Sequence, residues 1–159
     1  MQIADLLSPE GVVSALKVKD KSKAHLLQEL AERAAPLAKM PAKRILETLV
    51  ERERLGTTGV GQGIAIPHGR LGDIKKIIGV FARLETPIEY EAVDNQPVDL
   101  VFMLLAPEGA GADHLKALAR VSRLLRNQTS CEKLRSAATA EALYAILTEP
   151  PANSNSVAA

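Results

Sequence analysis

The sequence LVFMLLA at residues 100–106 is an uninterrupted apolar run with turn-forming residues on both sides. It has the length of one β-strand, and it lacks the alternation of polar and apolar residues that a strand with one face in water shows. A strand of this kind is buried on both faces and lies inside a sheet. The run therefore predicts a sheet that is covered on both sides.

Shorter segments rich in Val and Ile predict the remaining strands. Residues 2–7 are expected to form a short helix or turn ahead of the first strand, and residues 85–97 a connection with turn residues. Because helical segments separate the strands, we predict an α/β fold, with a mixed sheet of about five strands sandwiched by helices. The other predicted strands lie at residues 12–16, at residues 64–66 and within residues 74–84.

Apolar residues recur at helical spacing in five further segments. Ser22 is a preferred N-cap residue for the first helix, and Pro36 is expected to end it because proline disrupts a helix interior. Leu115 is expected to lie on the buried face of the long helix predicted over residues 113–126. Thr129 and Glu132 match a capping box for a short helix. The predicted helices cover residues 22–34, 41–55, 113–126, a short segment from residue 129, and residues 139–147.

The length of the chain suits one domain, which we place at residues 1–148. Residues 149–159, EPPANSNSVAA, have almost nothing to bury. They are predicted to form a disordered C-terminal tail.

The composition excludes several classes of function. Twenty basic and nineteen acidic residues leave a net charge of +1, so there is no basic field for a nucleic acid. The single cysteine, Cys131, excludes an internal disulfide and is typical of a reducing compartment. The sequence shows neither a signal-peptide pattern nor an apolar run of membrane-spanning length. We therefore expect a cytoplasmic protein without nucleic-acid binding or membrane insertion.

The stretch ERERLGTTGVGQGIAIPHGRL, residues 51–71, is the strongest functional feature. Its glycines allow the backbone to approach another molecule, and their N–H groups can face an anion. His68 follows them directly, between Pro67 and Gly69. The stretch is not a P-loop, since no Gly-Lys-Ser/Thr follows, and its glycine spacing does not fit a dinucleotide site. A phosphoryl-carrying histidine is our interpretation, and a flexible connection with a surface histidine is the alternative.

His114 is the second candidate residue. It stands in the first turn of the long helix, at the head of a face that continues with Leu118, Val121 and Leu125. The N-terminus of a helix favours an anion and disfavours an imidazolium, which indicates a neutral ring acting as donor or acceptor. The alternative is a boundary histidine bonded to a nearby carbonyl. His25 lies on a polar face, and no role is assigned to it.

Arg52 is the third candidate residue. It extends the apolar face formed by Ile45 and Leu49, and its guanidinium offers planar, paired hydrogen bonds to phosphate oxygens. The alternative is a cation that suits the last turn of a helix and extends into water.

The chemistry that fits these residues best is phosphoryl transfer through histidine. Two histidines and an isolated cysteine do not make a zinc site, and no Gly-x-Ser-x-Gly elbow indicates a hydrolase. Histidine phosphorylation needs an accessible imidazole, donors for the phosphoryl oxygens, and no metal or cofactor if an arginine and N–H groups supply the charge.

The segment from Arg52 to Gly69 closely resembles the active-site sequence of enzyme IIA proteins of the bacterial phosphotransferase system, in the fructose/mannitol class. The segment at residues 94–100 and the helix start at His114 resemble most the nitrogen-related branch, a stand-alone regulatory enzyme IIA. The resemblance extends over about residues 2–148. It implies that His68 is the phosphoacceptor, that His114 orients and stabilises the phosphoryl group, and that Arg52 neutralises it.

The resemblance also implies a function. A regulatory phosphotransferase of this kind accepts a phosphoryl group from an HPr-like phosphocarrier protein, and its phosphorylation state controls nitrogen and carbon metabolism and potassium homeostasis, potassium-transport regulators being among the targets. One alternative is a sugar-specific enzyme IIA that passes phosphate to the IIB domain of a fructose/mannitol-type transporter. Another is an anion-binding module without covalent chemistry. No cofactor is expected.

Overall fold

The apolar run forms the middle of a strand at the centre of a mixed sheet in this computed structural model, which describes residues 1–150. Successive side chains of a strand point to opposite faces, so the run supplies two cores at once. Each of its side chains is fully buried. One core contains Leu100, Phe102 and Leu104, and the other contains Val101, Met103 and Leu105.

Residues 1–150 form six strands and five α-helices. The strands are β1 (Val12–Leu16), β2 (Gly59–Gly61), β3 (Ile64–Ala65), β4 (His68–Leu71), β5 (Ile78–Ile88) and β6 (Val98–Pro107). The helices are α1 (Lys23–Ala38), α2 (Ala42–Arg54), α3 (Gly111–Arg126), α4 (Gln128–Ser136) and α5 (Ala140–Thr148). Single 3₁₀ turns lie at Ile3–Asp5, Pro9–Gly11 and Lys19–Lys21.

Strand β6 is central because it pairs with three other strands. β5 runs antiparallel along one side of it, and β1 lies parallel to β5 at that edge. On its other side β3 and β4 run parallel to it, one after the other, and β2 forms a hairpin with β3. Ile64 lies opposite Leu100 and His68 opposite Leu104, so the backbone leading to His68 follows the central strand.

Two layers of helices cover the sheet. Helices α1 and α2 pack on one core, and α3, α4 and α5 pack on the other. The predicted α/β fold, a mixed sheet sandwiched by helices, is therefore confirmed. Among residues 1–150, no helix combines the length and the apolar composition that crossing a bilayer requires.

The sheet of residues 1–150 has six strands where about five were expected, and two of the six were not located from the sequence. β2 and β4 lie in the glycine-rich stretch, whose small residues have little strand propensity. β4 forms because it bonds to β6, and β2 because it bonds to β3. β5 continues to Ile88, where pairing with Val98 resumes, and the predicted connection therefore begins at residue 89. The predicted tail lies outside the described residues except for its first two positions.

The prediction that Pro36 ends the first helix was wrong. Helix α1 starts after the predicted cap at Ser22 but continues through Pro36 to Ala38, and Lys39 closes it in the left-handed conformation. A proline inside a helix removes one backbone hydrogen bond, and its ring crowds the carbonyl group one turn earlier. Leu37 and Ala38 pack against the core beyond it, which offsets that cost.

Two expectations about the C-terminal helices were also wrong. Leu115 is 65% exposed, because the buried face of α3 is offset from it by about one position and contains His114, Ala117, Val121 and Leu125. The cap of α4 is Asn127, whose side chain accepts from the N–H of Ser130, and Thr129 lies inside the helix. Because the single residue Asn127 joins α3 to α4, α4 begins at Gln128, one residue before the predicted start.

Candidate active site

His68 is the first residue of β4 and is held by the central strand. The N–H of Leu104 donates to the carbonyl of Pro67 at 3.0 Å, which fixes the backbone just before the histidine. Helix α2 crosses close behind, where a Cβ at Gly69 would overlap the side chain of Thr48. The glycine after His68 is therefore required by this close approach of helix and strand. The histidine side chain is half-buried.

The ring of His68 has one nitrogen committed to the protein. Its Nδ1 lies 2.8 Å from the carbonyl oxygen of Ile66. A carbonyl only accepts, so Nδ1 carries the proton and Nε2 has the lone pair. Burial lowers the pKa of His68, and the charges of Arg52 and Arg70 act in the same direction, against the bond to Ile66 and the charge of Glu53. The ring is therefore a neutral imidazole with a nucleophilic Nε2.

His114 packs edge to face against His68, with 5.4 Å between the ring centroids and 71° between the planes. It lies in the first turn of α3 and is 4% exposed. Burial, then the neighbouring His68 and the charge of Arg70, lower its pKa to about 4, so this ring is also neutral. The structure thus brings together two histidines that are 46 positions apart in sequence.

The nitrogens of His114 have unequal surroundings. Nδ1 accepts a hydrogen bond from Nε of Arg70 at 3.2 Å, which leaves the proton on Nε2. His114 Nε2 is buried and has no hydrogen-bond partner within residues 1–150. An unpaired buried donor costs about 1–3 kcal/mol. Such an unpaired buried donor is typical of a site in which a ligand supplies the acceptor.

Arg52 lies in the last turn of α2, at the start of the glycine-rich stretch. Its Nη1 donates to the carbonyl of Gly56 at 2.9 Å, which satisfies one free carbonyl just beyond the helix. That bond occupies one of five guanidinium N–H groups. Its charge lowers the pKa of His68, so the guanidinium lies within electrostatic range of that ring.

Arg70 was not predicted as a site residue. It follows His68 by two positions on β4, and residues two apart on a strand share a face. The sequence pattern that could have indicated Arg70 is His-Gly-Arg. This pattern places the His68 and Arg70 side chains on the same face only if the segment is a strand. Because β4 has glycine at its second position and little β-propensity, the pattern did not indicate one.

Glu53 is a second residue that sequence analysis missed. Its side chain is 7% exposed and lies 2.8 Å from Nζ of Lys23. It also accepts from the N–H and the hydroxyl of Thr58 and from the hydroxyl of Tyr90. Burial raises the pKa of this carboxyl, but the bonds from Lys23 and Thr58 outweigh burial and the net pKa is lowered. The ionised carboxylate therefore anchors the start of the glycine-rich stretch.

The far end of the glycine-rich stretch is anchored as well. Asp94 accepts from the N–H of Gln62 at 2.9 Å, and Arg135 donates to the carbonyl of Gln62 at 3.0 Å while forming a two-pronged bond to Asp99. Gly63 has a φ of 83°, and a Cβ there would overlap the Arg135 and Asp99 side chains. Gly63 thus serves close packing of the hairpin, and the alternative of a flexible connection does not describe this segment, which forms strands β2, β3 and β4.

His25 is separate from this site. Its Nδ1 bonds to the hydroxyl of Ser22 at 2.7 Å, at the start of α1. Of the histidines, only His68 and His114 are therefore brought together.

Comparisons with known proteins agree on one family. The model of the family described as "Phosphoenolpyruvate-dependent sugar phosphotransferase system, EIIA 2" matches residues 5–149. A nitrogen regulatory protein of Bradyrhizobium diazoefficiens is 57% identical over 152 residues, which cover 96% of this chain and 98% of that protein. A nitrogen regulatory protein of Escherichia coli (strain K12) is 41% identical, over 94% of this chain and 91% of that protein.

A solved structure shows the same fold. The crystal structure of the nitrogen regulatory protein IIA-Ntr from Neisseria meningitidis has a TM-score of 0.86 and 36% sequence identity to this chain. The match covers 92% of this chain and 99% of that one. The comparisons therefore confirm both predictions: the resemblance to the enzyme IIA family and the resemblance to its nitrogen-related branch.

Proposed function

Because the chain belongs to the EIIA 2 family of the phosphoenolpyruvate-dependent sugar phosphotransferase system, we propose that it is a regulatory phosphocarrier that accepts a phosphoryl group on His68. One observation carries the proposal. The half-buried His68 keeps the Nε2 lone pair free, and it lies against His114, whose buried Nε2–H has no partner within residues 1–150. One ring supplies the nucleophile and the other a donor for the incoming phosphoryl oxygen.

The transfer step requires no proton transfer at His68. The Nε2 lone pair attacks the phosphorus of a phosphohistidine on an HPr-like carrier, in line with the bond that breaks. A new N–P bond forms while the donor's N–P bond breaks, and its electron pair remains on the donor imidazole. If the donor ring is protonated at its other nitrogen, it leaves as a neutral imidazole. The His68 ring retains Nδ1–H, becomes cationic, and is stabilised by the Ile66 carbonyl. Because the broken and the formed bonds are alike, transfer is reversible.

Charge stabilisation is assigned to three groups. The Nε2–H of His114 donates to one phosphoryl oxygen, and the guanidinium of Arg52 offers its remaining N–H groups to the others. Arg70 adds positive charge beside both rings. Positioned donors and cations of this kind supply most of the catalysis in phosphoryl transfer, where the protein has little covalent chemistry to perform.

An apolar rim around the site is the proposed docking surface for the carrier. Apart from Met1, the large apolar side chains most exposed within residues 1–150 are Leu55, Val60, Val93 and Leu115. Leu55 ends α2 and Leu115 follows His114. Val60 and Val93 are neighbours, since the N–H of Val93 bonds to the carbonyl of Gly59. Exposed apolar groups beside a reactive site are typical of protein docking.

The regulatory part of the proposal is supported by the names of the relatives, which are nitrogen regulatory proteins. A phosphoryl group adds up to about two negative charges at one spot and changes which partners the surface accepts. We infer that this state controls nitrogen and carbon metabolism and potassium homeostasis, through partners such as potassium-transport regulators, in the cytoplasm. Transfer to a IIB domain of a sugar transporter is the competing outcome.

Intact-mass measurement tests the proposal directly. Incubation with phosphoenolpyruvate, the general enzyme I and the HPr-like carrier should add one phosphate mass, and the label should be lost in acid. His68→Ala should abolish the mass shift. His25→Ala is the matched control and should be labelled like the native protein, because His25 is bonded to Ser22 away from the site. Full labelling of His68→Ala would exclude His68 as the acceptor.

A further inference from the structure

We propose that Arg70 is a positioning residue that sets the tautomer of His114, so that this ring presents an N–H group to the phosphoryl group. The juxtaposition of Arg70 Nε with His114 Nδ1 carries the proposal. Its consequence for transfer rests on the proposed function of His68, whereas the tautomer itself does not.

The position of Arg70 needs an explanation. Its guanidinium nitrogens lie about one van der Waals contact from Gly111, with Nη2 3.8 Å from a Cβ built there. Gly111 is the first residue of α3, where the helix dipole disfavours a cation. None of the ion pairs within residues 1–150 includes Arg70. The contact that accounts for its position is the hydrogen bond to His114.

That hydrogen bond permits only one tautomer. An arginine Nε–H donates and cannot accept, and the guanidinium does not lose its proton in proteins. Nδ1 of His114, 3.2 Å away, must therefore hold the lone pair. A proton on Nδ1 would place two N–H groups against each other. A neutral imidazole has a single N–H, so that proton resides on Nε2.

The tautomer matters because of what Nε2 faces. Nε2 is buried without a partner within residues 1–150, on a ring packed against His68. With its proton on Nε2 the ring can donate to an oxygen of phosphorylated His68. With the proton on Nδ1, a lone pair would face that oxygen and repel it. Arg70 thereby makes His114 a hydrogen-bond donor to the phosphoryl group on His68.

The test reads the tautomer in the unphosphorylated protein. Long-range ¹H–¹⁵N correlation of the histidine rings should show native His114 as a single neutral form with its proton on Nε2. Arg70→Met keeps the length of the stem but removes the donor. It should show a second population protonated on Nδ1, and it should accept phosphate from the carrier about tenfold more slowly, since one transition-state donor is weakened. An unchanged amide spectrum away from the site shows that the variant is folded.

Lys75→Met is the matched control. Lys75 is exposed in the turn after β4, and its substitution removes the same charge without affecting His114. It should keep the Nε2–H tautomer and the native transfer rate. A native His114 protonated on Nδ1 would overturn the proposal. The proposal would also be overturned if Arg70→Met changed only the tautomer, only the transfer rate, or neither.

Failure of this proposal is distinguishable from failure of the proposed function. The tautomer of His114 is read without any phosphate donor. Labelling of His68→Ala would refute the acceptor role of His68 while leaving the tautomer result intact. A mixed tautomer in the native protein would refute the role of Arg70 even if His68 is the acceptor.

Discussion

Each histidine of the site has one nitrogen bonded to the protein and one nitrogen without a partner within residues 1–150. His68 donates through Nδ1 to Ile66, and His114 accepts at Nδ1 from Arg70. The remaining nitrogens are complementary, a lone pair on one ring and a proton on the other. The lowered pKa values keep both rings neutral, so in the proposed transfer neither ring must gain or lose a proton beforehand.

Substitution of Arg52 tests the charge at the residue scale. Arg52→Ala should slow phosphoryl transfer about tenfold to a hundredfold, because it removes a cation beside the developing charge. It should also raise the pKa of His68, since a cation disfavours the imidazolium. The loss of rate on acidification, where the lone pair becomes protonated, should therefore begin at higher pH. Transfer rates measured across pH check both effects.

The control for this prediction is Arg54→Ala. Arg54 lies on the same helical turn, but it is exposed and pairs with Glu51. It should transfer phosphate at the native rate. Native kinetics for Arg52→Ala would mean that Arg52 serves only to bind the Gly56 carbonyl at the helix end.

At the scale of elements, three other segments meet the end of α2 at Glu53. Its carboxylate joins the end of α2 to Lys23 in α1, to Thr58 in the glycine-rich stretch and to Tyr90 beyond β5. Lys23 also lies 4.5 Å above the Tyr90 ring. These elements all bond to the buried carboxylate of Glu53. Together they position the neighbouring Arg52 and the hairpin that leads to His68.

Glu53→Gln should destabilise the protein by about 2 kcal/mol at neutral pH, because Lys23 loses its partner in a poorly solvated place. The folded-state pKa of Glu53 is lowered. Its contribution is therefore present above the unfolded-state pKa and is lost as pH falls through the folded-state value. Urea unfolding at neutral and at acidic pH should show the difference between native and variant shrinking in acid.

Glu51→Gln provides the comparison for that measurement. Glu51 is the exposed partner of Arg54, and exposed ion pairs contribute little to stability. Its substitution should leave the urea midpoint nearly unchanged at both pH values. Equal midpoints for the Glu53 and Glu51 variants would contradict the anchoring role of Glu53.

At the scale of the whole molecule, the docking surface proposed for the carrier consists of four exposed apolar side chains, Leu55, Val60, Val93 and Leu115. Leu115→Ser should raise the carrier concentration for half-maximal transfer about tenfold, with little change in the maximal rate, as expected when only binding is weakened. Ala145→Ser, at an exposed position of α5, is the control and should change neither. A Leu115 variant with native carrier dependence would place docking elsewhere.

Periodicity and composition account for much of the fold. The run in β6 required burial on both faces, and the two helical layers follow from that requirement. The cap at Ser22 was readable because serine is a preferred N-cap residue, and its side chain accepts from the N–H of His25 three residues later. Local patterns do not reveal β2 and β4, the continuation of α1 beyond Pro36, or the outward direction of Leu115. These depend on packing against segments distant in the chain.

The sequence by itself determined which residues are candidates: His68, His114 and Arg52 stand out through motif, position on a helix and resemblance, and their catalytic roles stay predictions. Only the tertiary structure decided how the two rings meet and which of their nitrogens is free. The physical reason is that a tautomer is set by hydrogen-bond partners. The partner of His114 is Arg70, 44 positions away, and the two are brought together only because β4 pairs with β6 beside the start of α3.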